Sequence, residues 1–349
     1  LSSTLDDSLE LFADIVLNPS FPEKELERLR LQLLNNINRE RKSPRAMALR
    51  VLPQLLYGKE HAYGNPLTGS GTTESVQAIT LDEIRNFQST WFKANHSTMV
   101  VVGDTTLAEI LPKLEKTFGK WGKGKTPVKN IANVDNVTQP RIYLVDRPAS
   151  EQSILFAALL ATPKANPDEI ATEAMNDIIG GMSTSRINMN LREDKGWSYG
   201  AQSGLSGAKG QRLFYIFSSV QTDKTRESID EVMKELSSFI ADNPATSEEL
   251  EKTVANNTLS LSGRWESSGA VMGSISQIVQ YGLPDTYFDE YAGKVDALTL
   301  DEVRQISKKI INPDAMTWVI VGDRMVIEKE LFKLDFGEIN LIDADGNPI

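Results

Sequence analysis

The chain has 349 residues, enough for about two domains that each bury a core. Its hydrophobic content of 40% and charged content of 24% are typical of globular proteins, and its net charge of −11 disfavours binding to a nucleic-acid backbone. Cysteine is absent and only two histidines occur, His61 and His96. Disulfides, thiol nucleophiles and cysteine-ligated zinc are therefore excluded, and a metal site built within this chain is disfavoured. No apolar run approaches the roughly 20 residues of a membrane-spanning helix.

Sequence patterns in the N-terminal third predict helices followed by one strand. Ser20 with Glu23, and Thr80 with Glu83, have the spacing of a capping box, so each pair predicts the start of a helix. The run TMVVVGD at 98–104 is rich in β-branched residues and ends in Gly-Asp, which predicts a buried strand.

Neither histidine indicates a metal centre. His61 lies in an HAYG turn and His96 in a short loop before the predicted strand. For a polar loop histidine without a partner, solvent exposure is the ordinary interpretation and metal binding the minor alternative. The acidic residues Glu248, Glu249 and Glu251 are interpreted in the same way, as the solvated start of a helix.

The sequence contains an internal repeat. AITLDEIR at 78–85 matches ALTLDEVR at 297–304, and TMVVVGD at 98–104 matches MTWVIVGD at 316–323, both at an offset of 219 residues. SFPEKELER at 20–28 matches PATSEELEK at 244–252, and Tyr57-Gly58 matches Tyr281-Gly282, at an offset of 224. We expect a structural unit of roughly 200 residues to occur twice.

The repeat predicts the domain organisation. About 85 residues of the second copy, 140–225, have no equivalent in the first, so we expect the chain to start within a domain. The predicted units are a truncated first repeat at 1–125, a Gly/Lys/Pro-containing linker at 126–139 and a complete second repeat at 140–349. The expected fold is α+β, with helices on one face of a mixed, mainly antiparallel sheet in each repeat. The exposed edge of the truncated repeat is expected to be covered by a partner.

The most informative segment is IIGGMSTSRINMNLREDKGWSYGAQS at 178–203. We predict a helix at 167–179, preceded by Asn166 as its cap and stopped by Gly180-Gly181, then a short helix at 185–192. A strand should follow at 197–203, paired in a hairpin with the strand around Phe214. This arrangement places Arg192 at a helix end and Tyr199 on the adjacent strand.

Arg192 and Tyr199 have two interpretations. Guanidinium and phenol groups that converge could donate hydrogen bonds to a peptide carbonyl or an oxyanion. Alternatively, Arg192 is a surface residue paired with Glu193 or Asp194, and Tyr199 is a half-buried structural residue.

The segment resembles the second-domain signature of the pitrilysin/insulinase family of zinc peptidases, roughly Leu-Arg-Glu-x-x-Gly-x-x-Tyr, which residues 191–199 fill without insertion. LFADIVLNPSFPEKELER at 11–28, HAYGNPLTGS at 61–70 and VVVGD at 100–104 resemble the same family. The resemblance implies that Arg192 and Tyr199 bind the substrate backbone near the scissile bond, opposite a zinc site. It also implies two domains that face each other across a peptide-holding cavity.

The departures from the family pattern concern the metal. The family's His-x-x-Glu-His motif belongs to a helix of the first repeat that lies in the missing stretch, and its counterpart at 167–179 contains no histidine. The expected third ligand, a glutamate, is replaced by Asn36, and Glu40 one turn later is expected to be an exposed carboxylate. We therefore predict no metal in this chain and a zinc ion in a partner half.

The function predicted from this resemblance is that of a non-catalytic half of a zinc metalloendopeptidase, inactive alone. Its partners would be a peptide or protein substrate, held by strand addition, and a catalytic half carrying His-x-x-Glu-His in the same or a separate polypeptide. The alternative is a catalytically dead peptide-binding or scaffold module of the same fold. The family resemblance favours a periplasmic or envelope location, with the cytoplasm as the alternative.

Overall fold

The computed structural model describes residues 2–129, 131–336 and 338–349. The N-terminal part is helical. Its elements are α1 (Leu5–Leu17), α2 (Glu23–Glu40), α3 (Pro44–Tyr57), α4 (Thr73–Ala78), α5 (Leu81–Trp91) and α6 (Leu107–Phe118).

Two predictions for this part are wrong. Ser20 does not cap α2, which begins after Pro22 without a side-chain cap. Residues 98–104 form no strand, and Met99 and Val101 are exposed. A strand needs a neighbour for its backbone groups, and the described residues place none beside this run. The capping box of Thr80 and Glu83 is confirmed.

The C-terminal part alternates strands and helices. Its elements are β1 (Arg141–Asp146), β2 (Gln152–Ala161), α7 (Glu169–Asn176), α8 (Arg186–Asn188), β3 (Ser198–Leu205), β4 (Arg212–Gln221), α9 (Thr225–Ile240), α10 (Ser247–Leu259), α11 (Leu261–Arg264), α12 (Ser268–Tyr281), α13 (Tyr287–Asp296), α14 (Leu300–Ile310), β5 (Thr317–Gly322), α15 (Arg324–Leu331) and β6 (Ile339–Ile342). The predicted hairpin of β3 and β4 is confirmed, as are the capping boxes of α10 and α14.

The strands form one mixed sheet in the order β3-β4-β2-β5-β1-β6. β2 pairs antiparallel with β4 and β5, β3 pairs antiparallel with β4, and β1 pairs parallel with β5 and β6. The mixed, mainly antiparallel sheet that the sequence predicts is confirmed.

Helices cover both faces of this sheet, rather than the single face expected. One face packs against α7, α9, α14 and α15, with Phe214, Trp318 and Ile320 fully buried. The other face packs against α3 from the N-terminal part, through Met47, Ala48, Val51 and Leu52. β2 and β5 are therefore buried on both faces, which explains why their sequences are nearly continuous apolar runs.

Both outer strands of the sheet already have partners along part of their free edges. On β3, the Ala201 N–H donates to Oδ1 of Asn188 at 3.0 Å. On β6, the Ile349 N–H donates to the Leu341 carbonyl at 3.0 Å, so the C-terminal residues cover that edge. These contacts reduce the backbone available to an incoming strand.

The stretch 126–139 contains no helix or strand among its described residues, and it is tied to the sheet by side chains. Gln211 bonds both backbone groups of Val134, and Asn136 bonds both backbone groups of Leu160. Across the described ranges, no helix is long and apolar enough to cross a membrane.

Candidate functional site

The segment that carries Arg192 and Tyr199 begins with α7. Ala171, Ala174, Met175 and Ile178 are buried on the side facing the sheet, as their spacing predicts. Asn166 contributes a local bond rather than a regular cap, because its Oδ1 accepts from the Asp168 N–H at 2.9 Å. The last turn of this helical segment is a π-helical turn, Asp177–Gly181, and the segment ends there, because Met182 is extended; the predicted stop at Gly180-Gly181 is confirmed.

A glycine is needed where this π-turn meets β3. A Cβ atom on Gly180 would lie 2.4 Å from the backbone nitrogen of Ser203, so any side chain would push the helix off the strand. Ser203 completes the junction, because its hydroxyl donates to Oδ1 of Asn176 at 2.9 Å. Gly180 therefore allows close packing of this turn on β3, and the helical segment ends at Gly181.

Arg192 lies in a second π-helical turn, Met189–Asp194, which continues α8. Its neighbours fix the backbone of this turn. Leu191 is fully buried, and Asn190 donates from Nδ2 to Glu231 and Glu235, both at 2.8 Å. π-Helical turns are rare and are often found at functional sites.

The Arg192 side chain itself points into solvent. It is 51% exposed, and its Nε lies 3.3 Å from a carboxylate oxygen of Glu193, which is equally exposed. An ion pair this exposed contributes about 0–1 kcal/mol and is easily exchanged for another anion or acceptor. The guanidinium is therefore available to a ligand.

Tyr199 lies across the Gly196 turn, on a bulge of the outer strand β3. Gly196 has φ +65°, a conformation that favours glycine. The register of β3 against β4 shifts between Ser198 and Ala201, and the Ser198 hydroxyl donates to the Gly200 carbonyl at 2.7 Å inside the bulge. Bulges re-aim side chains and occur beside active sites. An isolated glycine within a strand pattern, Gly200, was the sequence signal for this bulge.

The bulge leaves Tyr199 89% exposed, not half-buried. Within the part of the chain that the structure describes, its hydroxyl has no hydrogen-bond partner. Arg192 and Tyr199 thus both project from a rigid backbone into solvent, on either side of one glycine turn.

A polar cavity of about 430 Å³ is lined by residues of α7, the β3–β4 hairpin, α10, α12 and α13. Arg212, fully buried, donates from Nη1 and Nη2 to Glu169 at 3.0 and 2.5 Å, and Lys164 donates to Glu169 at 2.8 Å. Burial opposes the charge on Lys164, yet Glu173 and Glu169 hold the pKa of its ammonium above the usual value. The cavity is thus lined by paired charges.

Asp177 borders the same cavity. Burial raises the pKa of its carboxyl to about 6, the Asn257 amide that donates to it at 2.9 Å opposes the rise, and the charge of Glu173 adds to it. Glu173 and Asp177 are four residues apart and so share a helix face. Across the described ranges, no group of three or more His, Cys, Asp or Glu side chains could hold a metal ion.

The position of the expected zinc ligand does not fit a cation. Asn36 is half-buried on α2, and its carbonyl oxygen accepts a hydrogen bond from the guanidinium of Arg39. Arg28 and Lys42 border the same depression. Zinc prefers thiolate, imidazole and carboxylate ligands, and a neutral amide surrounded by three cations offers none of these.

Glu40 is not the exposed carboxylate that the sequence predicted. It accepts from the Ser70 hydroxyl at 2.6 Å and from Nη1 of the buried Arg50 at 2.7 Å, while Nη2 of Arg50 bonds Asp345 at 2.7 Å. Burial opposes the ionised form of Glu40, but Ser70 and Arg50 together hold the pKa below its usual value. Glu40 therefore joins α2 and α3 to the C-terminal residues.

His61 also has partners, contrary to expectation. Its Nδ1 accepts from the Tyr63 N–H at 3.0 Å, so Nε2 carries the proton and donates to the Ala132 carbonyl at 2.9 Å. The ring stacks on Tyr57, with centroids 5.1 Å apart. Both nitrogens are occupied, which leaves no lone pair for a metal.

The sequence interpretation also missed an ion pair below the Arg192 turn. Glu249 is not merely solvated, because Nε and Nη2 of Arg186 bond its carboxylate at 2.6 and 2.7 Å. The same guanidinium lies over the Phe239 ring. This contact joins α8 to α10 and fixes the start of the turn that carries Arg192.

The helix-covered mixed sheet and the exposed Arg192–Tyr199 turn define the fold and the candidate site that the comparisons with known proteins address. The family described as Peptidase M16 inactive domain matches residues 78–257, more than half of the chain. The chain belongs to this family.

Known relatives agree with this assignment. An uncharacterized zinc protease of Streptomyces coelicolor is 21% identical over 316 residues, which cover 89% of this chain and 68% of that protein. The structure of a peptidase M16 inactive domain from Pseudomonas fluorescens has a TM-score of 0.81 at 24% identity, covering 92% of this chain and 75% of that one. The first half of the periplasmic protease PqqL from Escherichia coli has a TM-score of 0.73 at 14% identity, covering 95% and 72%. The two structures show the fold alone.

Proposed function

We propose that this chain is the non-catalytic half of a zinc metalloendopeptidase, and that it binds the substrate backbone through Arg192 and Tyr199. The observation that carries the proposal is a difference in exposure at this turn, where buried neighbours hold the backbone while two polar side chains face solvent. Asn190 and Leu191 are buried, whereas Arg192 and Tyr199 are exposed and aim hydrogen-bond donors at solvent. Folding does not require an exposed tyrosine at this place, so a ligand-binding role explains it better.

The chemistry follows from the two donors. A guanidinium and a phenol can both donate to a peptide carbonyl, and both bonds strengthen as negative charge develops on that oxygen. The zinc ion of the catalytic half would supply the Lewis acid for hydrolysis. Because the edges of β3 and β6 already have partners, we assign peptide contact mainly to side chains rather than to strand addition on this sheet.

Reconstitution with a catalytic half that carries His-x-x-Glu-His tests this role. We expect Arg192→Ala and Tyr199→Phe each to lower peptide turnover by about 100-fold or more, the range for loss of one donor to a developing oxyanion. Arg324→Ala is the matched control, because Arg324 is also an exposed, ion-paired arginine but lies on α15. Unchanged turnover in both site variants would show that the proposed roles are wrong.

The second candidate function is a peptide-binding or scaffold module without hydrolysis, in which the same exposed Arg192 and Tyr199 would bind a peptide. It predicts peptide binding by the isolated chain, with no gain in turnover when a catalytic half is added. A location in the periplasm or envelope is part of the first proposal and is supported by the likeness to PqqL.

A further inference from the structure

Arg45, in the first turn of α3, lies over the ring of Phe217 on β4. The carbon atom of its guanidinium is 4.6 Å from the centre of the ring. Phe217 is partly buried on the face of the sheet that packs against α3, whereas Arg45 is exposed. The cation–π contact therefore holds an exposed guanidinium at a fixed place above β4.

The stability of α3 does not explain an arginine at this position. The positive end of the helix dipole disfavours a cation in the first turn, and α3 has no acidic residue there to offset it. Within the described residues, no carboxylate pairs with Arg45. The ring of Phe217 contacts the flat face of the guanidinium, so the N–H groups along its edge remain available. This edge has the geometry that binds a carboxylate through two parallel hydrogen bonds.

Two further cations lie at the same junction of α2 and α3. Lys42 is exposed three residues before Arg45, and Arg147 of the β1–β2 loop donates from Nη1 to the Lys42 carbonyl at 2.6 Å. Across the described ranges, neither side chain forms an ion pair with a carboxylate. The junction is thus a local positive surface on a chain whose net charge is −11, and it favours an anionic group.

The register of β3 and β4 places the stack beside Tyr199. β3 residues 198 and 201 pair with β4 residues 220 and 218, so Ser219 lies opposite the bulge that contains Tyr199. Phe217 is two residues from Ser219 and therefore on the same face of β4. Diagonal neighbours of this kind lie about 7–8 Å apart, within reach of long side chains.

Tyr199 and Phe217 also share a face of the sheet. The hydroxyls of Ser198 and Ser218 share a hydrogen bond at 2.9 Å on the opposite face, which is covered by helices. Because successive side chains of a strand alternate, Tyr199 and Phe217 both start from the face that packs against α3. The phenol of Tyr199 and the guanidinium of Arg45 can therefore contact one ligand.

We propose that Arg45, stacked on Phe217, binds a carboxylate of the same peptide that Arg192 and Tyr199 hold, and that this chain therefore selects acidic peptides. The separation of about 7–8 Å corresponds to about two residues of an extended peptide. The carboxylate belongs to an Asp or Glu side chain or to the C-terminus of the peptide. Arg45 is a specificity-determining residue in this account and takes no part in hydrolysis. The inference rests on the proposed function for the identity of the ligand.

Binding of short fluorescent peptides to the full chain, measured by fluorescence anisotropy, tests the inference. The peptides have one sequence and an amidated C-terminus, and Glu or Gln is placed at each position in turn. We expect the best Glu peptide to bind about tenfold or more tightly than its Gln analogue, the effect of a charge-assisted hydrogen bond. A Gln peptide with a free C-terminal carboxylate shows whether the end of the peptide is the group bound instead.

Arg45→Gln should remove the preference for the carboxylate, so that the Glu and Gln peptides bind equally. Arg264→Gln is the matched control, because Arg264 is also an exposed arginine stacked on an aromatic ring, with its guanidinium carbon 5.9 Å from the centre of Phe288. This control should keep the preference of the parent chain.

Turnover of the same peptides with a His-x-x-Glu-His half separates the two proposals. Arg45→Gln should raise KM for the Glu peptide by about tenfold and leave kcat unchanged, as expected for a contact made equally in the ground and transition states. If Arg45→Gln removes the preference while Arg192→Ala and Tyr199→Phe leave turnover unchanged, the carboxylate site is supported and the proposed function is wrong. The inference itself is wrong if the parent chain binds Glu, Gln and free-carboxylate peptides equally, if it binds none of them, or if the preference survives Arg45→Gln.

Discussion

Replacing Glu169 by Gln is expected to destabilise the protein by about 3–5 kcal/mol, the usual cost of breaking a buried ion pair. The carboxylate is 4% exposed and accepts from Arg212 and Lys164, whose side chains are 2% and 13% exposed. A neutral amide would leave the buried Arg212 without a counter-charge, whereas Lys164 would keep only Glu173. The free energy of unfolding, measured by urea titration, checks this expectation.

Asp168→Asn is the control, because it removes an adjacent but exposed ion pair with Lys309. Exposed pairs contribute about 0–1 kcal/mol, so this variant should remain close to the parent protein. Equal stabilities of the two variants would contradict the assignment of a buried charge network beneath α7.

Trp318→Ala is expected to cost about 3–5 kcal/mol, since removing a large buried side chain leaves a cavity in the sheet core. Trp318 is 1% exposed on β5 and lies beside Ala157 of β2 and Ile142 of β1. The corresponding residue in the N-terminal part, Met99, is uncovered. Met99→Ala should therefore change the free energy of unfolding by less than about 0.5 kcal/mol.

The free energy of unfolding of each variant is measured by urea titration and compared with that of the parent protein. A large effect of Met99→Ala would mean that this side chain is packed, which contradicts its exposure. A small effect of Trp318→Ala would contradict the packing of β5.

Local signals in the sequence predicted many elements correctly. Thr80, Thr246 and Thr299 begin helices because each capping box is complete within four residues. The hairpin of β3 and β4 was predicted from the strand at 197–203 and the strand around Phe214, and it is confirmed. The prediction that Ser20 caps α2 was wrong, although its spacing to Glu23 is the same, because the helix begins only after Pro22. A capping spacing therefore predicts a helix start only when the intervening residues can take helical dihedrals.

Contacts between distant residues could not be predicted. Arg212 is 43 residues from Glu169, and nothing in either local sequence names the other as its partner. The burial of Glu40 depends on Arg50 and the distant Asp345 in the same way. The run 98–104 was wrongly predicted as a strand for the same reason. Its β-branched pattern is that of a strand, but a strand also needs neighbouring strands, which the local sequence does not show.

At the candidate site, the sequence located Arg192 and Tyr199 in a helix–turn–strand segment, and the structure places them there. It did not predict the bulge at Ser198–Ala201 or the π-helical turns, which depend on how α7 and α8 pack against β3. Their high exposure follows from that packing and is the basis of the proposed substrate contact.

The central claim is that this chain holds no catalytic metal and depends on a zinc centre in another half. Zinc content and peptide cleavage, measured on the purified chain alone, test it most directly. The account predicts no stoichiometric zinc and no cleavage until a His-x-x-Glu-His half is added. One tightly held zinc ion per chain, together with cleavage by the chain alone, would contradict it.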